Sequence, residues 1–304
     1  MAVSNKNKIS NQKRYAFLIS PSGYSGKKLL NNAIKILKNW NFEVNYLPDI
    51  IDKYHYYAGD YKRRAKEINL AYNDKNSKFI FSIIGGMGAV HTLLFLDYDL
   101  IKKSNKTLIG YSDITILLNT IYQKTGKRCL HGPNLWKPIK KYHEKTILCL
   151  FDAINKKNYQ IAINNQDILK QGFARADIAG GNLTLLERSL GTNYEINTNN
   201  KILFIEDVKM KEGWVLDILW HLKLAGKFNN VKGIILGNFV DCGKNINNYL
   251  KDFFQDFKCP VIMNQPIGHS EPNLTIPLGE TCIIDTKNKF WKIQFKKDFN
   301  PKPI

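Results

Sequence analysis

Ser112 sits in Thr107-Leu108-Ile109-Gly110-Tyr111-Ser112-Asp113-Ile114-Thr115-Ile116-Leu117-Leu118. That run reads as a short apolar strand, a tight turn at Gly110 to Ser112, and an amphipathic helix. A serine on such a bend has its hydroxyl exposed. The N–H groups opening the helix point the same way, which suits an activated nucleophile beside an oxyanion hole. The match to a Gly-x-Ser-x-Gly elbow is partial, because Ile114 stands at its last position. The commoner use of Ser or Asp at this place is a helix cap, and the local pattern alone favours it.

A nucleophilic serine needs a base, and the base needs an orienting carboxylate. His55 and His143 lie in polar stretches, His221 in an apolar helix, and His91 just after a glycine run. His131, in His131-Gly132-Pro133, and His269, in Gly268-His269-Ser270-Glu271-Pro272, sit in loops bounded by Gly and Pro. Such loops fix a side chain at a domain edge. The residues alone do not rank these two. Glu206-Asp207 closes an apolar strand, where a carboxylate faces either a cleft or solvent. Gly85-Gly86-Met87-Gly88 lacks both the Lys-Ser/Thr of a P-loop and the full G-x-G-x-x-G spacing. Its amides can still approach a substrate oxygen.

The elements that must position these residues are legible in outline. Strands are expected at residues 15–20, 42–47, 79–84 and 107–110, with helices over about 27–39 and 60–73, and another starting at 89–96. Alternation without hairpins predicts a parallel sheet covered on both faces. Ligands bind beyond the carboxyl ends of such strands, which brings Gly85-Gly86 close to Ser112. Residues 136–170 read as one helix plus a linker. Gly180-Gly181-Asn182 is expected to open a helix running to about Gly191. Strands follow at 201–205, 233–237 and 260–263, a helix at 214–225, and an antiparallel pair over 281–295. The second half is therefore expected to be an α+β domain with a mostly β core.

At 304 residues with 44% hydrophobic content, the chain can bury a sizeable core and divides naturally into two domains. The net charge of +19 invites a nucleic-acid reading. However, Lys and Asn are spread along the whole chain, without an Arg-rich helix or a basic stripe, so no nucleic-acid partner is expected. Anionic substrates remain compatible. The five cysteines include no C-x-x-C pair, which argues against zinc and for a reducing, cytoplasmic setting. No apolar run reaches membrane-spanning length.

From about Tyr15 to Asp285 the chain resembles the LD-carboxypeptidase family of serine peptidases, which includes the microcin immunity peptidases. The resemblance is carried, in order, by Gly85-Gly86-Met87-Gly88, Leu96-Asp97-Tyr98-Asp99, Gly110-Tyr111-Ser112-Asp113, His131-Gly132-Pro133, Gly180-Gly181-Asn182-Leu183, Leu190-Gly191-Thr192, Phe204-Ile205-Glu206-Asp207, and Gly268-His269 with Pro277-Leu278-Gly279.

It implies a Rossmann-like parallel-sheet N-terminal domain and a smaller β-rich C-terminal domain. The expected division is a disordered lead at 1–13, a nucleophile domain at 14–150, a linker at 151–170 and a second domain at 171–304. It implies Ser112 as nucleophile, Glu206 as orienting carboxylate and His269 as base, thereby choosing between the two loop histidines. The oxyanion donors would be the amides of Gly86 and Asp113, with substrate contacts from Gly85, Met87, Tyr111 and Asn182. Neither metal nor organic cofactor is implied, and a homodimer is. The implied reaction removes the terminal D-Ala from a murein tetrapeptide. A relative that cleaves peptidyl or aminoacyl nucleotides, and an inactive small-ligand binding protein, are the alternatives. Many relatives carry Arg where this chain has Ile84, and Tyr where it has Met87. An Arg often found early in the helix after the Glu motif is missing around 214–219. These departures touch substrate contacts and leave the triad intact.

Overall fold

The computed structural model describes residues 13–297. The polar lead expected at 1–13 lies, but for its last residue, outside the described residues. The first region alternates strand and helix: β1 (Arg14–Ile19), α1 (Gly26–Asn39), β2 (Phe42–Asn45), α2 (Tyr61–Asn73), β3 (Phe79–Ser82), α3 (Tyr98–Lys103), β4 (Thr107–Gly110), α4 (Thr115–Thr125) and β5 (Cys129–His131). Next come α5 (Glu144–Ile154), β6 (Tyr159–Ala162), β7 (Ile168–Lys170), β8 (Phe173–Asn182), α6 (Leu183–Glu187), β9 (Lys201–Val208), α7 (Glu212–Leu224), β10 (Gly233–Val240), α8 (Ile246–Phe254) and β11 (Val261–Ile262). The strands β12 (Ile276–Pro277), β13 (Thr281–Asp285) and β14 (Phe290–Gln294) complete the described chain.

These strands form two sheets. The first has the order β12-β5-β4-β3-β1-β2, parallel from β5 to β2. The second has the order β6-β14-β13-β8-β9-β10-β11-β7, with a parallel centre and antiparallel flanks. The architecture is therefore α/β, a Rossmann-like parallel sheet followed by a β-rich region. Central strands read as unbroken apolar runs because both faces are covered: Ala16 to Ile19 of β1 are all buried. In α1, Leu30, Ala33, Ile36 and Leu37 make one buried stripe at helical spacing. Asp60 caps α2 by accepting from the Arg63 amide at 2.8 Å.

Three features differ from the pattern-based expectation. Residues 136–170 carry β6 and β7 besides the helix, and these are the two edges of the second sheet. Both are short and half-exposed, so neither has the buried alternation that makes a strand visible. Gly180 to Asn182 end a strand instead of opening a helix, and α6 covers only Leu183–Glu187. A Cβ at Gly180 would fall 1.9 Å from the Phe204 carbonyl oxygen, so glycine there serves close strand approach. Finally, β12 returns from the far end of the chain to pair antiparallel with β5, Ile276 opposite His131.

Helix α4 joins the two regions. Nearly all of its residues are buried, and Asn119 Nδ2 donates to the Gly180 carbonyl at 2.9 Å. One apolar cluster runs from Ile80 and Leu108 through Leu117 and Ile121 to Phe204 and Trp291. The helix that follows Ser112 is thus packed into a core shared by both sheets.

Candidate active site

At the end of β4 the chain turns sharply. Tyr111 is extended, and Ser112 has a φ of +66°. That left-handed conformation is uncommon outside glycine and costs on the order of 1–3 kcal/mol. Side chains brace it from both directions. The Tyr111 amide donates to Asn134 Oδ1, and Asn134 Nδ2 donates back to the Tyr111 carbonyl, each at 3.2 Å. The Asp113 carboxylate accepts from Ser22 Oγ at 2.6 Å and from the Ala89 amide at 2.8 Å. Tyr111 and Ile114, not Ser112, stand at the N-caps of the turn and of α4, so the helix-cap use of this serine is not what the structure adopts. The glycine run lies against it, as the strand ends require. A Cβ at Gly85 would lie 2.9 Å from Ser112 Cβ and 3.4 Å from the Asp113 nitrogen. The Gly23 amide anchors that run through the Gly85 carbonyl at 3.1 Å.

Glu206 lies near the end of β9, fully buried, opposite Asn182 of β8. The loop after β11 carries His269 to it. Gly268 has a φ of +104°, and a Cβ there would sit 2.3 Å from Glu206 Oε2. Only glycine allows this loop to close on the carboxylate. The Gly268 amide is held by Asn273 Oδ1 at 2.9 Å. His269 Nδ1 then meets Glu206 Oε2 at 2.7 Å, and Nε2 meets Ser112 Oγ at 3.1 Å. A carboxylate on Nδ1 sets the tautomer: Nδ1 carries the proton and the Nε2 lone pair faces the serine hydroxyl. The Tyr111 ring, 4.9 Å from the imidazole, forms the wall behind it.

Electrostatics favour an ionised Glu206. Burial by itself would raise its carboxyl, but the His269 and His131 imidazoles outweigh it and hold the group down at about 2. Burial pushes the Tyr111 phenol up to about 12. The neighbouring Asp207 faces away. It accepts from Asn182 Nδ2 at 2.8 Å and from the Thr184 amide and hydroxyl at 3.0 and 2.7 Å.

Ser112, His269 and Glu206 come together, with Gly85 and Asp113 beside the serine and Gly86 next along the chain, against Gly23. Met87 is exposed near the same glycine run, and Tyr111 is buried against His269. Asn182 is not free to touch a substrate. Its Oδ1 caps α6 at Leu185 and its Nδ2 holds Asp207, and the residue is buried. Asn134 and Ser22, which brace the serine turn, were not singled out from the sequence; an Asn or Ser in a loop carries no local sign of a partner 23 or 91 residues away. Among the described residues, no group of three or more His, Cys, Asp or Glu side chains is arranged to hold a metal ion. No helix among them is long and apolar enough to cross a membrane.

Comparison with known proteins adds lineage to this geometry. Residues 17–132 match the description of the LD-carboxypeptidase N-terminal domain, and residues 175–284 that of the LD-carboxypeptidase C-terminal domain. The chain is 29% identical to the probable murein peptide carboxypeptidase of Bacillus subtilis (strain 168), over 90% of this chain and 89% of that protein. It is 32% identical to the microcin C7 self-immunity protein MccF of Escherichia coli, over 77% of this chain and 78% of that one. The solved structure of MccF in complex with glutamyl sulfamoyl guanosine superimposes with a TM-score of 0.85 at 26% identity, covering 93% of this chain and 96% of that chain.

Proposed function

The chain belongs to the LD-carboxypeptidase family, and from that premise we propose that it is a serine LD-carboxypeptidase removing the terminal D-Ala from murein tetrapeptides. Peptidase chemistry follows from membership. The serine mechanism rests on one observation, His269 bridging Ser112 and Glu206 at 3.1 and 2.7 Å.

Ser112 Oγ attacks the scissile carbonyl carbon while His269 Nε2 takes the hydroxyl proton. Glu206 holds the imidazole through Nδ1–H and offsets its developing charge. The oxyanion sits against the amides of Gly86 and Asp113, where fixed donors act in a water-poor site. His269 returns the proton to the D-Ala amine as the C–N bond breaks. Water, activated by the same imidazole, then hydrolyses the acyl-enzyme and releases the tripeptide. Ser112 comes from the nucleophile domain read at 14–150, and Glu206 and His269 from the one read at 171–304, with β6 and β7 of the intervening segment added to the second sheet and β12 to the first. Relative domain position therefore controls assembly of the site. The reading includes a cytoplasmic location and a homodimer; light scattering on the purified protein tests the homodimer.

The murein substrate is supported by the name of the Bacillus subtilis relative and by a net charge of +19, which suits peptides bearing free carboxylates. A second reading, cleavage of aminoacyl nucleotides, is supported by the likeness to MccF, whose solved complex holds glutamyl sulfamoyl guanosine. Incubating the enzyme with tetrapeptide, pentapeptide and aminoacyl sulfamoyl nucleotides, and following products by mass spectrometry, separates them. The tetrapeptide should yield tripeptide and D-Ala. The pentapeptide, whose last bond joins two D-centres, should be slower by roughly a hundredfold, the usual cost of about 1 Å of misplacement. Equal rates on both peptides, or turnover confined to nucleotides, rejects the murein reading. Binding without turnover of any of them points to an inactive binding protein.

A further inference from the structure

His131 lies on β5, paired in register with Gly110 of β4, two residues before the serine. Its side chain is fully buried and reaches toward the second sheet, where Nε2 lies 3.8 Å from Glu206 Oε1. The ring is enclosed edge-on by Phe204, 5.1 Å away, and Tyr111, 6.0 Å away. Among the described residues, neither His131 nitrogen has a hydrogen-bond partner, and neither does Glu206 Oε1. A buried imidazole and a buried carboxylate oxygen left unpaired are each costly. Here each is what the other lacks. The gap is 3.8 Å, and roughly 1 Å of closure makes it a hydrogen bond.

Oε2 of the same carboxylate is already taken by His269. A carboxylate is planar, so fixing Oε1 fixes the direction in which Oε2 points. We propose that His131 is a positioning residue: it pairs through Nε2 with Glu206 Oε1 and sets the carboxylate plane against which His269 is aligned. One imidazole from the first sheet and one from the loop of the second region then hold the two oxygens of Glu206. The proposal rests on the Ser112–His269–Glu206 reading above.

Its test is the second-order rate at which a fluorophosphonate labels Ser112, mapped by mass spectrometry, because this reports serine activation without assuming the substrate. His131→Phe fills the pocket and removes the nitrogen, whereas His131→Gln keeps a donor. The Phe variant should label about 10- to 100-fold more slowly, the scale of a misaligned catalytic group. The Gln variant should recover most of that loss. In a Glu206→Ala background, the Phe substitution should cost less than about twofold, since a residue acting through Glu206 has nothing left to act on. With the peptide substrate the loss should fall on kcat and leave KM nearly unchanged. Should the Phe variant fail to fold, His131→Asn, too short to reach Oε1, takes its place under the same criteria. A Phe variant labelling at more than half the wild-type rate, equal losses in Phe and Gln, or a full penalty surviving without Glu206 overturns the proposal. Wild-type enzyme that does not label at Ser112 overturns both this proposal and the serine mechanism. Wild-type enzyme that labels, obeys the cycle and leaves the tetrapeptide intact rejects only the substrate.

Discussion

Ser112 and His269 face each other across 3.1 Å, yet the two sides of that contact are built differently. The serine side starts from one continuous segment. A strand, a left-handed residue and a helix follow one another within a dozen positions, and the main braces are a backbone clamp by Asn134 and a carboxylate shared by Ser22 and Ala89. The histidine side is assembled from distant pieces. His269 and Glu206 are 63 residues apart, and they meet only because Gly268 leaves room for a buried carboxylate. The serine is therefore presented by a turn continuous in sequence and braced from outside it by Ser22, Ala89 and Asn134, whereas His269 is placed by a loop that closes on a distant carboxylate. Damage to the first side should remove chemistry with little loss of fold. Damage to the second should disturb chemistry and packing together.

The largest effect separates the two at once. Ser112→Ala should lower turnover by roughly three to six orders of magnitude while the circular dichroism spectrum and melting temperature stay close to wild type. A variant keeping a tenth of the rate would remove Ser112 from the role of nucleophile.

Gly268→Ala probes the other side. The added methyl points at Glu206 Oε2 from a backbone at φ +104°. Turnover should fall about a hundredfold through misplacement of the carboxylate, and stability by about 1–3 kcal/mol through backbone strain. Loss of activity without loss of stability in urea unfolding would show the histidine loop to be as self-contained as the serine turn.

Acid should act on the second side. The Glu206 carboxyl is held at about 2 in the folded protein, below its ordinary 4.5. A depressed carboxyl contributes stability that is present above the unfolded value and is lost as pH falls through the folded one. The stability advantage of wild type over Glu206→Gln should therefore be present above pH 4.5 and shrink between 4.5 and 2. An advantage that does not change across that window contradicts the ionised carboxylate.

The smallest effect is expected at the brace of the serine turn. Asn134→Ala removes both bonds to Tyr111, and a net loss of about 1 kcal/mol per hydrogen bond predicts a modest drop in melting temperature. Turnover should fall less than in Gly268→Ala. A larger fall would mean that the turn depends on its surroundings more than its local geometry suggests.

Much of this was readable from residue order, and the unreadable part has a common cause. The Ser112 turn was visible because apolar strand, Gly-Tyr-Ser-Asp and apolar helix are neighbours in sequence. The meeting of Gly85 with Ser112 followed from a general property of parallel sheets, that successive strands end on one edge. His131 and His269 could not be ranked on their own residues. In the fold both lie against the same carboxylate, one at each oxygen. Asn182 looked available because nothing local betrays that Asp207 and the start of α6 use up its side chain.

What the sequence determined by itself was the periodicity of its strands and helices, the glycines that permit tight turns, and the set of side chains able to do acid–base work. These are consequences of dihedral preference and of apolar spacing, which act over a few residues. Only the tertiary structure decided which buried polar groups share a partner. That depends on how far the chain must travel before it returns, as β12 returns to β5 and His269 to Glu206. An unpaired buried charge is costly wherever it lies along the chain, so the pairing of Glu206 is settled by packing across the two sheets and by nothing in its immediate neighbours.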